Sequence, residues 1–552
     1  MTREELIPVE RESPTTMGTR PSRLRFYASL YLFVAGFYLL TASGRIGLSD
    51  SVAMLNVAQS VLNDGSFSSE PCEYDMRAPT AGSSVGCIPG TNGRHYAAYG
   101  LLPSLLVVPV ILTARVVSEI VHVNSLVTSK TAVSIFTLLV APLVCVVLAA
   151  WVLKLGYNRR TAVAGACILA FASPFWHNSV KGLLSEPYFT LALLMAACLL
   201  SGPRRKFACS LAGLAFGLAC CVRLNGVILL PAFILSMWFH TRAQKLSIGQ
   251  FFRDSVRFSA SFSVWALLIA LANYARFGSP FKTGYHLAFP SISILLSNPL
   301  LRGLFEVLLN GEVGLLVFAP WVLIAVICFP YFVRAHLPES VLCGTSFLIY
   351  LLFFAKYADW HGGWVAGPRL LIPILPFLVM AMAPAIQRLQ QSAAWRQRPW
   401  VLIGPSMVVL VGAGFLIQSV GTLFPDERYY ALREFYEYKP AKPSWFGSVP
   451  LASIEFLSRM SIPKGKMARE VELDQMTARH EQDRASAGVD SAATEEEYLD
   501  RFPNSANMTS PNLMLVKLRS MGLPISVGIA YFLAAVAFAF AGAVGLRRCI
   551  TS

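Results

Sequence analysis

Stretches of mostly apolar residues recur along this chain, each about as long as a helix must be to cross a hydrocarbon layer. A helix climbs about 1.5 Å per residue, so roughly 20 such residues span the core of a bilayer. The stretches fall near 26–43, 130–153, 161–177, 187–202, 207–222 and 226–240, and again near 258–274, 313–332, 339–355, 370–386, 400–421 and 522–546. Each is bounded by Pro, Gly or charge, where helices stop. The pattern predicts an all-α polytopic membrane protein, a bundle of about 12 transmembrane helices. Only 14% of the 552 residues are charged, against roughly 25% in an ordinary soluble domain. A soluble architecture is therefore excluded.

The formal charge of +15 does not point to nucleic acid, because Lys and Arg gather in short clusters between apolar runs and form no stripe. They point to topology instead. Arg20, Arg23 and Arg25, then Lys154, Arg159 and Arg160, Arg204 to Lys206, Arg242 and Lys245, Arg388, Arg396 and Arg398, and finally Arg547 and Arg548 should all face the cytoplasm. Residues 1–25 are polar, and the run from Phe26 to Ala42 has no small-residue cleavage site, so it reads as a retained first span. The alternation closes only if the apolar stretch from about Tyr96 to Val117 does not cross, and lies instead in the outer interface or as a re-entrant helix pair.

The resulting order is a cytoplasmic tail over 1–25 and a membrane domain over 26–421, with a first outer loop at 44–129. A polar extracytoplasmic segment follows over 422–521, then a last helix over 522–546 and a cytoplasmic tail over 547–552. The segment 422–521 is charge-rich and turns low in hydrophobicity around Met467 to Glu497, which argues for solvated helix or partial disorder. It contains one glycosylation sequon at Asn507. Most of the Cys residues lie within apolar runs as small hydrophobes. Cys72 and Cys87 instead bracket a Gly, Pro and Ser-rich outer loop, where a loop-closing disulfide is expected.

Polar residues with chemical potential collect on the outer side. Asp50 follows the first span and opens an amphipathic helix; it can cap that helix, or sit at the lipid–water boundary as a base for a hydroxyl. Glu186, before Pro187, lies at a helix start, where a carboxylate complements the dipole. Arg223 interrupts an apolar hairpin, where a lone Arg either snorkels or meets a phosphate or carboxylate. The loop from Lys356 to Arg369 holds Asp359, Trp360, His361, a Gly pair and Trp364. Trp rings can stack on a sugar or anchor at the interface, and Arg369 can fork onto a phosphate. His361 with Asp359 falls short of a zinc site, though Asp50 or Glu186 could complete an oxygen-rich divalent one. Between Asn273 and Tyr285, basic and aromatic residues including Lys282 can line a lipid groove or form a plain interfacial loop.

Taken in order, these elements resemble the bacterial GT-C superfamily of membrane glycosyltransferases, related to the dolichyl-phosphate-mannose protein mannosyltransferases and the aminoarabinose transferase. The ordered set is Asp50 after the first span, Ser185-Glu186-Pro187, Arg223, Phe277 to Pro280 with Gly284-Tyr285, Gly314 to Pro320, and Trp360 to Arg369 with Pro373 and Pro376. The resemblance implies a GT-C-like bundle with juxtamembrane helices after Arg94, in a bacterial inner (plasma) membrane. It further implies inverting transfer of a hexosyl or pentosyl group from a polyprenyl-phosphate sugar donor to a glycan, lipid or protein acceptor. By resemblance Asp50 is the general base, Glu186 orients hydroxyls, and Arg223, Arg369 or Lys282 holds the donor phosphate. Trp360, His361, Trp364 and Tyr285 would then contact sugar or acceptor. Relatives often carry a paired acidic motif at the first loop; here Ser51 follows Asp50, so no metal is expected to be obligatory, although a divalent cation can be accommodated. Two rivals remain: a lipid-linked sugar flippase or transporter, for which an internal repeat would be expected, and a polysaccharide ligase or polymerase using a diphosphate-linked lipid.

Overall fold

The computed structural model describes residues 20–46, 48–70, 88–202, 207–289, 291–363, 365–391, 399–423, 514, 517–518 and 523–551. The chain is an all-α, polytopic membrane protein. In order come α1 (Arg20–Leu40), α2 (Ser49–Asp64), a hairpin of β1 (Ile88–Pro89) and β2 (His95–Tyr96), α3 (Leu102–Val121), α4 (Ser125–Lys154), α5 (Arg159–Phe171), α6 (Pro174–Ser179), α7 (Ser185–Leu200) and α8 (Ala208–Val222). A 3-10 turn, Leu224–Leu229, leads into α9 (Leu230–Ala243), followed by α10 (Ile248–Phe277), α11 (Gly284–Ala288), α12 (Ile292–Leu295), α13 (Leu300–Leu309), α14 (Leu315–Phe318), α15 (Val322–Ala335) and α16 (Leu337–Lys356). A second 3-10 turn, Arg369–Ile374, opens α17 (Leu375–Leu389), and α18 (Trp400–Leu423) and α19 (Ile525–Thr551) complete the described helices.

The apolar runs anticipated from the sequence are largely helical where described, but 161–177 breaks between α5 and α6 before Pro174, and 313–332 breaks between α14 and α15 at 319–321. Among the described residues eight helices are long and apolar enough to cross a membrane by length and composition, and α7, α8 and α15 are shorter apolar helices. Polar caps define their ends: Asn124 accepts from the Leu126 and Val127 amides, and Asn158 from Thr161. Small residues set the packing, as expected where apolar burial alone cannot distinguish helix from lipid. Along α1 and α19, a Cβ on Gly36 would strike the Ala539 backbone and one on Gly542 the Phe33 backbone. Tyr531 adds a 2.7 Å hydrogen bond to the Leu39 carbonyl. Helix α17 is buried along most of its length and forms the centre.

The two ends of the bundle differ in chemistry. At one end Arg159 donates to the Cys549 carbonyl (2.6 Å) and to Ser22 Oγ (3.4 Å), Lys154 donates to the Cys198 carbonyl (2.6 Å), and His240 lies 3.5 Å from Glu339. The opposite end gathers the exit of α1, the starts of α2 and α4, and the turns before α7 and α17. Thr131 of α4 donates to the Gly44 carbonyl (3.3 Å), and Ser43 donates to the Val180 carbonyl (3.0 Å). Helix α3 begins just after Tyr99, which bonds Asp50, and ends at the start of α4. Both ends of α3 therefore lie at the same end of the bundle, although its length and composition would suffice for a crossing. Cys72, Cys87, Trp364, Asn507 and nearly all of 422–521 lie outside the described residues.

Candidate active site

Four charged side chains meet where helices begin or break. Asp50 is in the first turn of α2, Glu186 in the first turn of α7, Arg223 at the joint between α8 and its following 3-10 turn, and Arg369 at the head of the turn leading to α17. Arg369 is the bridge. Its Nη2 lies 2.6 Å from Asp50 Oδ2, its Nε 2.6 Å from Glu186 Oε1, and its Nη1 donates to the Gly362 carbonyl at 3.3 Å. Glu186 Oε1 also lies 3.1 Å from Arg223 Nη1. The result is an alternating chain, Asp50, Arg369, Glu186, Arg223, in which each charge faces its opposite.

Exposure separates the members. The Glu186 side chain is 0% exposed and that of Arg369 5%, whereas Arg223 retains 12% and Asp50 20%. Glu186 Oε2 is buried without a hydrogen-bond partner among the described residues. All three Arg369 nitrogens are engaged; Arg223 uses one. The Tyr99 hydroxyl donates to Asp50 Oδ1 at 2.6 Å. Burial pushes the Asp50 carboxyl up, but the Arg369 guanidinium and the Tyr99 hydroxyl outweigh it and hold its pKa below the ordinary value. Asp50 is thus an ionised carboxylate that still meets open space.

A second group stands near Asp50 and Arg369. His361 Nε2 lies 3.2 Å from Glu312 Oε2 and His361 Nδ1 2.9 Å from the Gly363 carbonyl. Burial pulls this imidazole down, but these two hydrogen bonds win and raise its pKa. Protonated, it donates from both nitrogens. Asp359 stands at the surface, yet the protein mass around it, and then the Asp50 charge, push its carboxyl up to about 6. Trp360 packs edge-on against His361 at 5.6 Å. Gly362 and Gly363 have φ of +73° and +88°, which favour glycine, and they turn the Gly362 carbonyl toward Arg369.

Of the residues singled out from sequence, Asp50, Glu186, Arg223 and Arg369 come into direct contact. Tyr285 stands close enough for the charges of Arg223, Asp50, Arg369 and Glu186 to act on its phenol, which burial raises to about 12. Trp360 and His361 pack together in the loop that leads to Arg369. Lys282 is exposed and makes no ion pair among the described residues, so it is not brought into the group. Tyr99 and Glu312 were missed: each earns its place through a partner 49 positions away, with no local sequence signal. Among the described residues no three His, Cys, Asp or Glu side chains are grouped to hold a metal ion.

No protein-family model matches the chain, and no curated protein matches it. Among solved structures, ArnT from Cupriavidus metallidurans bound to undecaprenyl phosphate aligns over 96% of this chain and 79% of its own, at 13% identity and a TM-score of 0.44. The Archaeoglobus fulgidus oligosaccharyltransferase in the apo form aligns over 79% of this chain and 59% of its own, at 12% identity and a TM-score of 0.46. AglB from the same organism, in complex with an inhibitory peptide and a dolichol-phosphate, aligns over 78% and 59%, at 12% identity and a TM-score of 0.47. ArnT and AglB are both GT-C superfamily membrane glycosyltransferases, the superfamily that the ordered sequence elements resemble. At these identities and TM-scores, what the chain does rests on its own residues.

Proposed function

We propose that this protein transfers a sugar from a polyprenyl-phosphate donor to an acceptor hydroxyl at the extracytoplasmic face of the membrane, inverting the anomeric centre, with Asp50 as general base. The observation that carries the reading is Asp50 itself. It is an ionised, partly exposed carboxylate held by Tyr99 and Arg369 at the end of the bundle opposite the basic termini. If the basic end faces the cytoplasm, the four-charge chain faces outward and α3 lies along the outer interface of a bacterial inner membrane.

The acceptor hydroxyl gives its proton to Asp50 as its oxygen bonds to the anomeric carbon. The bond from that carbon to the phosphate oxygen breaks, and the electron pair leaves with the polyprenyl phosphate. Charge grows on that phosphate in the transition state, so a cation with uncommitted donors beside it lowers the barrier. Arg223 meets this requirement best, because Arg369 spends its nitrogens on Asp50, Glu186 and Gly362. An arriving phosphate also opposes the charged form of Asp50, which strengthens it as a base when the substrate is present. Glu186 holds both guanidinium groups apart, and its unpartnered Oε2 can accept a sugar hydroxyl. The Trp360 ring supplies a stacking face for sugar or acceptor, and His361, held by Glu312 and the Gly363 carbonyl, orders the loop that carries it.

The test is radiolabelled sugar transfer from polyprenyl-phosphate sugars into membranes containing the wild-type chain or Asp50→Asn, matched for folded protein. Transfer by the wild type and its loss in the variant are expected. Equal transfer would remove Asp50 as base, and no transfer from any such donor would move the protein to lipid-linked sugar transport.

A further inference from the structure

The short segment 97–100 touches three elements of the site. Tyr99 reaches Asp50. Gly100 lies so close to the Cys221 and Val222 carbonyls, just before Arg223, that a Cβ would overlap them. On the other side, a Cβ on Gly284 would overlap Ala98, so α11, which carries Tyr285, is seated directly on this segment. The segment therefore spaces Asp50, Arg223 and Tyr285 with respect to one another, yet it belongs to no helix and makes few backbone bonds of its own.

Arg276, in the last turn of α10, holds it. Its Nη1 donates to the Ala97 carbonyl (3.1 Å) and the Tyr99 carbonyl (3.3 Å), its Nη2 donates to Asn273 Oδ1 (3.0 Å), and its Nε donates to the Ala272 carbonyl (3.3 Å). Its own carbonyl accepts from the Thr91 amide (3.3 Å), and its guanidinium lies 5.0 Å from the Phe277 ring. Phe277 in turn packs with Ile88, Tyr96 and Ala98, against which Tyr285 rests. Arg276 is 5% exposed, and among the described residues it has no carboxylate partner. Its charge is thus answered by carbonyl dipoles, and what the position demands is a rigid fork that reaches several acceptors at once. A lysine ammonium lacks that fork.

We propose that Arg276 is a positioning residue for the transfer step, fixing the carbonyls of Ala97 and Tyr99 so that the Tyr99 hydroxyl seats Asp50 in register with Arg223. The inference rests on the proposed function and extends it to a residue that touches neither donor nor acceptor. Losing the clamp lets Tyr99 withdraw from Asp50. The hydrogen bond lost is one that favours the carboxylate, so the proton affinity of Asp50 rises.

The experiment uses the full-length protein in lipid nanodiscs with a polyprenyl-phosphate sugar that the wild type accepts, and compares Arg276→Gln, Arg276→Lys, Tyr99→Phe and the Arg276→Gln/Tyr99→Phe double variant. Tyr99→Phe is expected to lower kcat about tenfold to hundredfold with little change in donor KM. It should also move the acid limb of the kcat profile upward by about one pH unit. Arg276→Gln should reproduce both effects, and the double variant should be no slower than the slower single. If the limb stays where the wild type has it, or the two losses multiply, Arg276 merely stabilises the fold and the inference fails. Should Arg276→Gln not fold, the limb is read on Arg276→Lys, for which the same shift is expected and an unmoved limb is equally fatal. A wild type that transfers from no donor would overturn the proposed function and this inference together; an active wild type with an unmoved limb overturns only the inference.

Discussion

Glu186 is where the four-charge chain should break most expensively. Its Oε1 takes Arg369 Nε at 2.6 Å and Arg223 Nη1 at 3.1 Å, with the side chain fully buried. Glu186→Gln keeps the shape and one acceptor oxygen but leaves Arg369 with Asp50 alone and Arg223 without its carboxylate partner. Removing one partner of a buried ion pair costs about 3–5 kcal/mol, because the remaining charge stays desolvated. Reversible unfolding in mixed detergent micelles, followed by tryptophan fluorescence, measures this loss. Arg369→Met should cost a similar amount, since it leaves Asp50 without a guanidinium partner and Glu186 with Arg223 alone. Because the two side chains touch, the double variant should be less damaged than the sum of the singles by at least about 1 kcal/mol. Losses that simply add would mean that the 2.6 Å contact carries no coupling, and the picture of Arg369 as the bridge would be wrong.

Further outcomes follow from the same geometry. Asp50→Asn should reduce transfer by at least about a hundredfold, the ordinary contribution of a general base, while a donor-binding assay changes little. Gly100→Ala should abolish transfer, because its methyl would overlap the Cys221 and Val222 carbonyls. Gly412→Ala, where nothing lies within 4 Å, should leave activity intact. Asp359, with a pKa raised to about 6, binds a proton more tightly in the folded than in the unfolded chain, so its ionisation destabilises the fold. Wild-type stability should therefore fall relative to Asp359→Asn as the pH rises from about 4 to 6; parallel profiles of unfolding against pH would contradict this.

The bundle was legible in the sequence because length and hydropathy alone decide what crosses a bilayer, and the positions of Arg159, Arg547 and Arg20 mark which helix ends belong together. Asp50 was legible from its place just after the first span. The same holds for Arg223, since an Arg amid apolar residues demands an anion. What the sequence left open was which anion. The structure supplies carboxylates of the chain itself, Glu186 for both guanidinium groups and Asp50 for Arg369, which turns Arg369 from a free phosphate clamp into an internal bridge. Tyr99 and Arg276 were hidden for a different reason. Each acts through a contact between segments far apart in the chain, and neither residue type, spacing nor periodicity registers such a pairing. Lys282 illustrates the converse, a basic residue in a promising segment that the fold leaves exposed and apart from the four-charge chain.

The glycine seam between α1 and α19 also sets a timetable for biogenesis. Helix α1 is synthesised before α19, and the partner that fits its Gly36 face emerges nearly five hundred residues later. At about 5–20 residues per second, that face stays unmatched for roughly half a minute or more. During this interval other small-residue helices, or a membrane protease, have access to it. A nascent chain stalled anywhere before α19 thus displays an unclosed seam.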